Sequence, residues 1–554
     1  MVLLTDQQST DLNEKKIPDS KHDSEDSFGI SVESLGYDEQ ESQDRPVRGL
    51  SSRHIQFMAF GGCIGTGLFV GSGKVLAMAG PLSILLAYIL VSTVVYGVTQ
   101  ALGEMTTWLP VPGAIQLFAT RYINPATGFA SGWNYYYGYV TVYCAEVSAA
   151  VTVIGYWIEL NPAIWISIIL CLMILINLLP VRVYGETEFW FSCIKVTTIV
   201  ALLILTVVVD LGGAPNHHIL GFQYWRNPGA MNTYLADGDL GRFSAFFNSL
   251  VMATYAFILS PEFICVAAGE SQSPRRNIPK ATKRFFYRII FFYVLGVLAV
   301  GVLVPYTDPR LKMGSTGAAS PFVIGMKDAG IRVLPHIINA VILVSAVSAG
   351  NSFMYSCSRT LMSLAEQGQA PQIFRRCNRY GTPYIAVLVS AAFGLLNYMN
   401  VSKGGATVFS WFVNLSTLSG LVAWAILLVA FLRFRAALKA QSISLASLPF
   451  RSRFQPWVSF YSLFWVLLVI VFNGYYCFFR GNFTAANFLT SYFGVFYFVA
   501  LVGGYQLVKR TRFFTPAHEI DILTGKAEID EMEANEKPPE EPKTFLGKVW
   551  QWIA

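Results

Sequence analysis

Three charged residues stand in stretches otherwise too apolar to hold them: Glu146 in VYCAEVSAA, Lys195 in FSCIKVTTIV and Glu262 in ILSPEFICV. An ionised side chain at membrane depth is costly, so each marks a candidate site for holding a charge or carrying a proton. A second kind of chemistry lies in glycine. The stretch AFGGCIGTGLFVGSG, from Ala59, crowds Gly61, Gly62, Gly65, Gly67, Gly71 and Gly73 into an apolar run. Glycine is a poor helix former, so a helix should open there and present uncommitted backbone amides and carbonyls. A second opening is expected in VMATYAFILSPEFICVAAGE. Pro261 removes a donor and clashes with the carbonyl four residues back, which opens the helix near Ile258, Leu259 and Ser260. Taken singly, each feature has a second reading, a small-residue packing face or a simple kink.

The elements that must position these groups are membrane spans. Of 554 residues, 54% are hydrophobic and 13% charged, where an ordinary soluble domain has about 25% charged. Apolar runs of the roughly 20 residues a bilayer core requires recur along the chain. About twelve spans are expected, at 55–79, 82–107, 126–155, 163–180, 188–210, 243–267, 285–305, 333–358, 384–400, 406–432, 458–477 and 487–508. Interrupted first and sixth spans are what a five-plus-five inverted repeat predicts. The expected fold is therefore an all-α integral membrane protein of leucine-transporter type, with broken helices 1 and 6 and two extra C-terminal helices.

The formal net charge of +6 does not point to nucleic acid, because the basic residues sit in loops beside the spans. Arg121, Arg182, Arg275, Arg276, Lys280, Lys283, Arg284, Arg375, Arg376, Arg379, Arg433, Arg435, Lys439, Arg451 and Arg453 fall on one side. By the positive-inside rule that side, and both termini, are cytoplasmic. Three segments follow: a disordered acidic tail at 1–47, a transmembrane domain at 48–510 and a C-terminal cytoplasmic tail at 511–554. No cleavable signal peptide is expected, and the apolar run at 545–553 could lie on a membrane surface. Eight cysteines without CxxC spacing and six histidines in tails, loops or span ends call for no metal or cofactor. With no HExxH and no nucleotide-binding loop, an enzyme is not expected.

Seven segments in order carry a resemblance: GGCIGTGLFVGSG, ALGEMTTWLPVPG, YGETEFWFSCIKV, GESQSPRRNIPKA, ASPFVIGMKDAGIRVLP, SAGNSFMYSCSRTLMSLAEQG and AHEIDILTG. From about Arg48 to Lys526 the chain resembles a fungal, yeast-type amino acid permease of the amino acid–polyamine–organocation superfamily. The resemblance implies import of amino acids by proton symport through alternating access, usually at the plasma membrane, with a vacuolar or other internal membrane as the alternative. An amino acid and a proton are the implied cargo, and the bilayer is the setting. Ubiquitin ligase machinery acting on tail lysines Lys15, Lys16 and Lys21 is a further implied partner.

The resemblance places the substrate backbone at the two breaks. Amides of Gly65, Thr66 and Gly67 would receive the carboxylate at the positive end of a half-helix. Carbonyls ending at Ile64, together with those of Ile258, Leu259 and Ser260, would accept from the ammonium. Glu146 would line the cavity. Lys195 matches the position where sodium-coupled relatives hold an ion, which implies a proton-coupling role, and Glu262 would steady the open span or move a proton. Ser345 and Ser348 are expected neighbours of Lys195. The family's usual aromatic residue and glycine in the sixth span are replaced by Ile258 and Ser260–Pro261, so specificity is not simply inherited. A mostly apolar cavity favours a neutral amino acid. Two other readings remain: a carrier of another small amine or secondary metabolite, of choline or 4-aminobutyrate type, and a sensor that binds amino acids without transporting them.

Overall fold

The computed structural model describes residues 65–534 apart from 112, 159, 264, 266–272, 313–319 and 480. Every regular element among them is helical. In chain order those of eight or more residues are α1 (Gly67–Ala79), α2 (Pro81–Trp108), α3 (Ala114–Tyr122), α4 (Pro125–Ile154), α5 (Pro162–Leu178), α6 (Val181–Asp210) and α7 (Gly238–Tyr255). Beyond the second break come α8 (Pro274–Leu303), α9 (Pro321–Asp328), α10 (Leu334–Glu366), α11 (Tyr384–Lys403), α12 (Gly405–Ala440), α13 (Trp457–Phe478), α14 (Ala485–Lys509) and α15 (Lys526–Ala534).

Nine helices among the described residues are long and apolar enough to cross a membrane: α2, α4, α6, α8, α10, α11, α12, α13 and α14. α1 and α5 are apolar but shorter, and α7 carries Asp239 and Arg242 near its start. The chain is a multi-pass membrane protein. Its outward faces are apolar, with Trp190, Trp457, Phe464, Val471, Phe496 and Val499 exposed. A bilayer is the solvent that tolerates such a surface while every backbone group is satisfied within a helix.

Local sequence sets the helix starts. Proline occupies the first turn of α2, α4, α5, α8, α9 and α10, where its missing N–H is no loss. Asn124 and Asn161 cap α4 and α5 by accepting from the amides of Thr127 (2.6 Å) and Ala163 (3.0 Å). One expectation is corrected here. SPRRNIPKATKR, read as a loop, forms the first turns of α8 despite Pro279 inside the helix. The helix persists because Ile278, Ala281, Thr282 and Phe285 bury one face, and that burial outweighs one lost hydrogen bond.

α4 is the hub, packed along α10 and α12. Small residues make the approach possible: a Cβ on Gly138 would lie 2.6 Å from Ser419 Oγ, and one on Gly350 would lie 2.7 Å from the Met173 side chain. Polar pairs tie the hub to its neighbours. Asn134 donates to the Ser419 carbonyl and Ser419 Oγ donates back to that of Asn134, both at 3.0 Å. Ser148 donates to Asn397 of α11 at 2.8 Å.

At one end of the bundle the chain after α14 forms a strap. Thr515 N donates to the Ile123 carbonyl at 3.1 Å, Gln441 reaches the Ile520 carbonyl at 2.6 Å and Trp108 Nε1 the Ile522 carbonyl at 2.8 Å. Ile520 and Ile522 are buried beneath it. Arg275, at the start of α8, locks the strap. Its guanidinium donates to Asp530 and Glu533 of α15 and to the Thr107 and Trp108 carbonyls at the end of α2.

Candidate functional site

The break expected in the first span extends outside the described residues, which enter at the N-terminus of α1. Thr66 caps α1, whose opening turn, Gly67–Gly71, is a π-turn. The amides of Gly65, Thr66 and Gly67 therefore stand at the positive end of a helix. Ile64 and the preceding glycines lie outside the described residues.

The second break is a C-terminus. α7 stops at Tyr255, and the chain turns through residues 256–262 before helical geometry returns at Phe263. Leu259 takes a left-handed φ of 56°, a conformation branched and bulky side chains rarely adopt. Ser260 Oγ donates to the Ile258 carbonyl and Phe263 N to the Ser260 carbonyl, both at 3.2 Å, so two of the three carbonyls expected to be open already have a local donor. Pro261 thus opens the helix without the family's usual glycine.

The start of α1 and the end of α7 abut. A Cβ on Gly67 would meet Ala256 Cα at 3.1 Å, and one on Gly65 would meet Glu146 Oε1 at 3.0 Å. Thr66 Oγ1 donates to the same Glu146 oxygen at 3.0 Å, and the Tyr255 hydroxyl lies 3.5 Å from it. Glu146, in mid-α4, thereby links the start of α1 to the end of α7. Glu146 Oε2 has no hydrogen-bond partner among the described residues.

The side chains of Ile258 and Leu259 are buried and face the glycine seams. A Cβ on Gly420 of α12 would lie 2.7 Å from Ile258 Cβ, and one on Gly138 would lie 3.0 Å from Leu259 Cδ1. Phe257 turns the other way, onto Tyr293 at 4.4 Å between ring centroids. Tyr293 also donates to the Ala256 carbonyl at 2.9 Å, taking up one acceptor that the end of α7 leaves open. It sits in a π-turn of α8, Ile290–Val294, an irregularity frequent at functional sites.

Lys195 and Glu262 are both fully buried, but they belong to different clusters. Glu262 accepts from the Tyr135 hydroxyl of α4 at 3.3 Å. Lys195 Nζ lies 3.9 Å from Glu188 Oε1 on its own helix. Ser348 of α10 donates to Glu188, not to Lys195. Sequence reasoning passed over Glu188. The signal was present in its spacing: seven residues, or two turns, place Glu188 and Lys195 on one face of α6. Tyr293, in the seventh expected span and six spans on from the glycine cluster, left no such signal. Among the described residues no cluster of His, Cys, Asp or Glu could hold a metal ion.

A helix start and a broken helix end joined by a buried carboxylate, within a bundle of membrane-crossing helices, are the setting of a membrane transporter. The chain belongs to the amino acid permease family: the model of that family, described as amino acid permease, matches residues 54–515. It is similar to a proline-specific permease of Emericella nidulans, 47% identical over 93% of this chain and 94% of the relative. A proline-specific permease of Saccharomyces cerevisiae is 45% identical over 87% of this chain and 79% of the relative. A lysine-specific permease of the same yeast is 40% identical over 94% and 85%.

Proposed function

We propose that the chain imports a neutral amino acid, proline foremost, together with a proton, by alternating access at the plasma membrane. The identity of 47% and 45% to two proline-specific permeases, against 40% to a lysine-specific one, supports the substrate. The close approach of Gly67 and Ala256 carries the mechanism.

A zwitterion needs a partner for each charge once water is stripped away. The amides of Gly65, Thr66 and Gly67 receive the carboxylate without committing a full positive charge. The ring nitrogen, a secondary ammonium with two N–H groups, is served by the carbonyls of Ile64 and Leu259, with Glu146 behind them. Lys195 and Glu146 handle the proton, and Glu262 steadies the opened chain after Ser260. In this reading twelve spans form a five-plus-five repeat with two added helices. Both termini lie in the cytoplasm, with the tails at 1–47 and 511–554 open to ubiquitin ligase machinery.

Uptake of radiolabelled proline into cells expressing the chain, across external pH and against a panel of competitors, tests this. Proline accumulation that rises as external pH falls, and that resists competition by lysine, glutamate, choline and 4-aminobutyrate, is the expected result. Accumulation of lysine instead, or specific binding without net uptake, would overturn it.

A further inference from the structure

Glu188 has the geometry of a fixed anion. It and Lys195 both have 0% of the side chain exposed, and the Lys195 ammonium lies 3.9 Å from its Oε1. Ser348 Oγ sits 2.8 and 2.9 Å from its two oxygens, so one hydroxyl from α10 grips the carboxylate across both. A hydrogen bond to a charged acceptor is among the stronger kinds, and it also fixes direction. Lys195 acts electrostatically on Glu146 of α4 as well as on Glu188. The Lys195 cation is thus in contact range of Glu188 and within electrostatic reach of Glu146, both buried.

The other elements packed on α6 add little charge here. α5 and the Leu295–Leu303 half of α8 bring no Asp, Glu, Lys, Arg or His. Toward one end, α10 adds Tyr355, stacked on Tyr184 at 4.3 Å, with the Arg359 guanidinium 4.7 Å from the Tyr355 ring.

Fully ionised, the three groups carry one net negative charge in a dry interior; a single added proton brings the sum to zero, the state that burial favours. The two carboxylates are not equivalent as acceptors. Both oxygens of Glu188 are engaged by Ser348, whereas Glu146 Oε2 has no partner among the described residues.

We propose that Glu188 is the positioning anion of the coupling site: gripped by Ser348, it holds Lys195 beside Glu146, and the transported proton is taken up and released by the Lys195–Glu146 pair. The proton that arrives converts the Glu146 carboxylate to the acid, and its departure restores the carboxylate, with Glu188 ionised throughout. This rests on the proton-symport reading and names the residue that tunes it. Because Glu146 also accepts from Thr66 at the start of α1, a change of charge on it reaches the substrate site through one hydrogen bond.

Proteoliposomes containing the full chain separate the two claims. Proline accumulation driven by an imposed proton gradient is measured first in the wild type; no response to the gradient would mean the symport reading itself fails. With coupling present, Glu188→Gln is expected to retain proline exchange, which needs no net proton movement, and to lose gradient-driven accumulation. Its uptake profile should shift toward acid pH by about one unit or more, because loss of the Glu188 anion leaves the Lys195 cation to Glu146 alone and makes the Glu146 carboxylate harder to protonate. Ser348→Ala keeps every charge and should shift the profile in the same direction by less. An unshifted pH profile in Glu188→Gln, or equal loss of exchange and accumulation, overturns the proposal. If Glu188→Gln does not fold, Ser348→Ala decides: an unshifted profile sinks the idea.

Discussion

Gly67 of α1 stands so close to Ala256, the first residue past α7, that a Cβ on the glycine would fall 3.1 Å from Ala256 Cα and 3.2 Å from its Cβ. Neither neighbour can swing aside, since one is backbone and the other is fixed to it. Gly67→Ala is therefore expected to push the start of α1 and the end of α7 apart. Overpacking of this kind typically costs about 1–3 kcal/mol, enough to reduce uptake roughly tenfold or more. Gly503 in α14 supplies the control, because a Cβ there meets nothing within 4 Å. Initial uptake rates normalised to surface-exposed protein should fall for Gly67→Ala and stay at the wild-type level for Gly503→Ala.

The Thr66 hydroxyl donates to Glu146 at 3.0 Å. Thr66→Val preserves shape and removes that donor, leaving a buried carboxylate oxygen without it. A hydrogen bond to a charged group contributes about 1.5–3 kcal/mol, so the half-saturating proline concentration should rise by about ten- to a hundredfold. Thr66→Ser restores the donor and should restore affinity. Concentration dependence of uptake distinguishes the pair, and equal affinity for Val and Ser would show that the bond does not support the site.

Tyr293 donates to the Ala256 carbonyl at 2.9 Å. Tyr293→Phe keeps the ring contacts with Phe257 and Tyr88 but orphans a carbonyl at the end of α7. The expected loss is about 1–3 kcal/mol for a buried unsatisfied acceptor. It should be read as a lower unfolding temperature in detergent, with a smaller effect on expression.

Arg275 joins the strap to the bundle through Asp530 and Glu533. Arg275→Gln should free residues 511–534 and expose them to limited proteolysis, whereas Glu533→Gln should do so only weakly, because that carboxylate is half exposed. Burial pushes the Asp530 carboxyl up, but hydrogen bonds and charge from Lys526 and Arg275 outweigh it and hold the carboxyl below its usual value. A depressed carboxyl contributes its stability above the unfolded value, near 4, and loses it as pH falls through the folded one. Cleavage of the strap should therefore be unchanged between about pH 5 and 8 and rise only below about pH 4. A midpoint near neutrality would assign the latch to another group.

Much of the architecture is legible in the residues. Apolar length specifies the crossing helices, and proline with an Asn cap marks where α4 and α5 begin. Glycine at 65 and 67 marks the start of α1 and proline at 261 the break after α7, because these residues act through the backbone and need no distant partner. The pairing of side chains is less legible. Lys195 stood out as a charge in apolar sequence, yet its anion, Glu188, lies on the same helix near the margin of the span, where an acid draws no notice.

By itself, the sequence determined that this chain is a membrane-spanning helical permease with a helix opened before Pro261, since hydrophobic length and backbone-breaking residues are local properties. Only the tertiary structure decided which groups meet. It set Gly67 against Ala256, joined Thr66 to Glu146, gave the Ala256 carbonyl to Tyr293 and placed Ser348 on Glu188. Each of these contacts joins residues 37 to 189 positions apart. Their register depends on how whole helices pack, which no local pattern encodes.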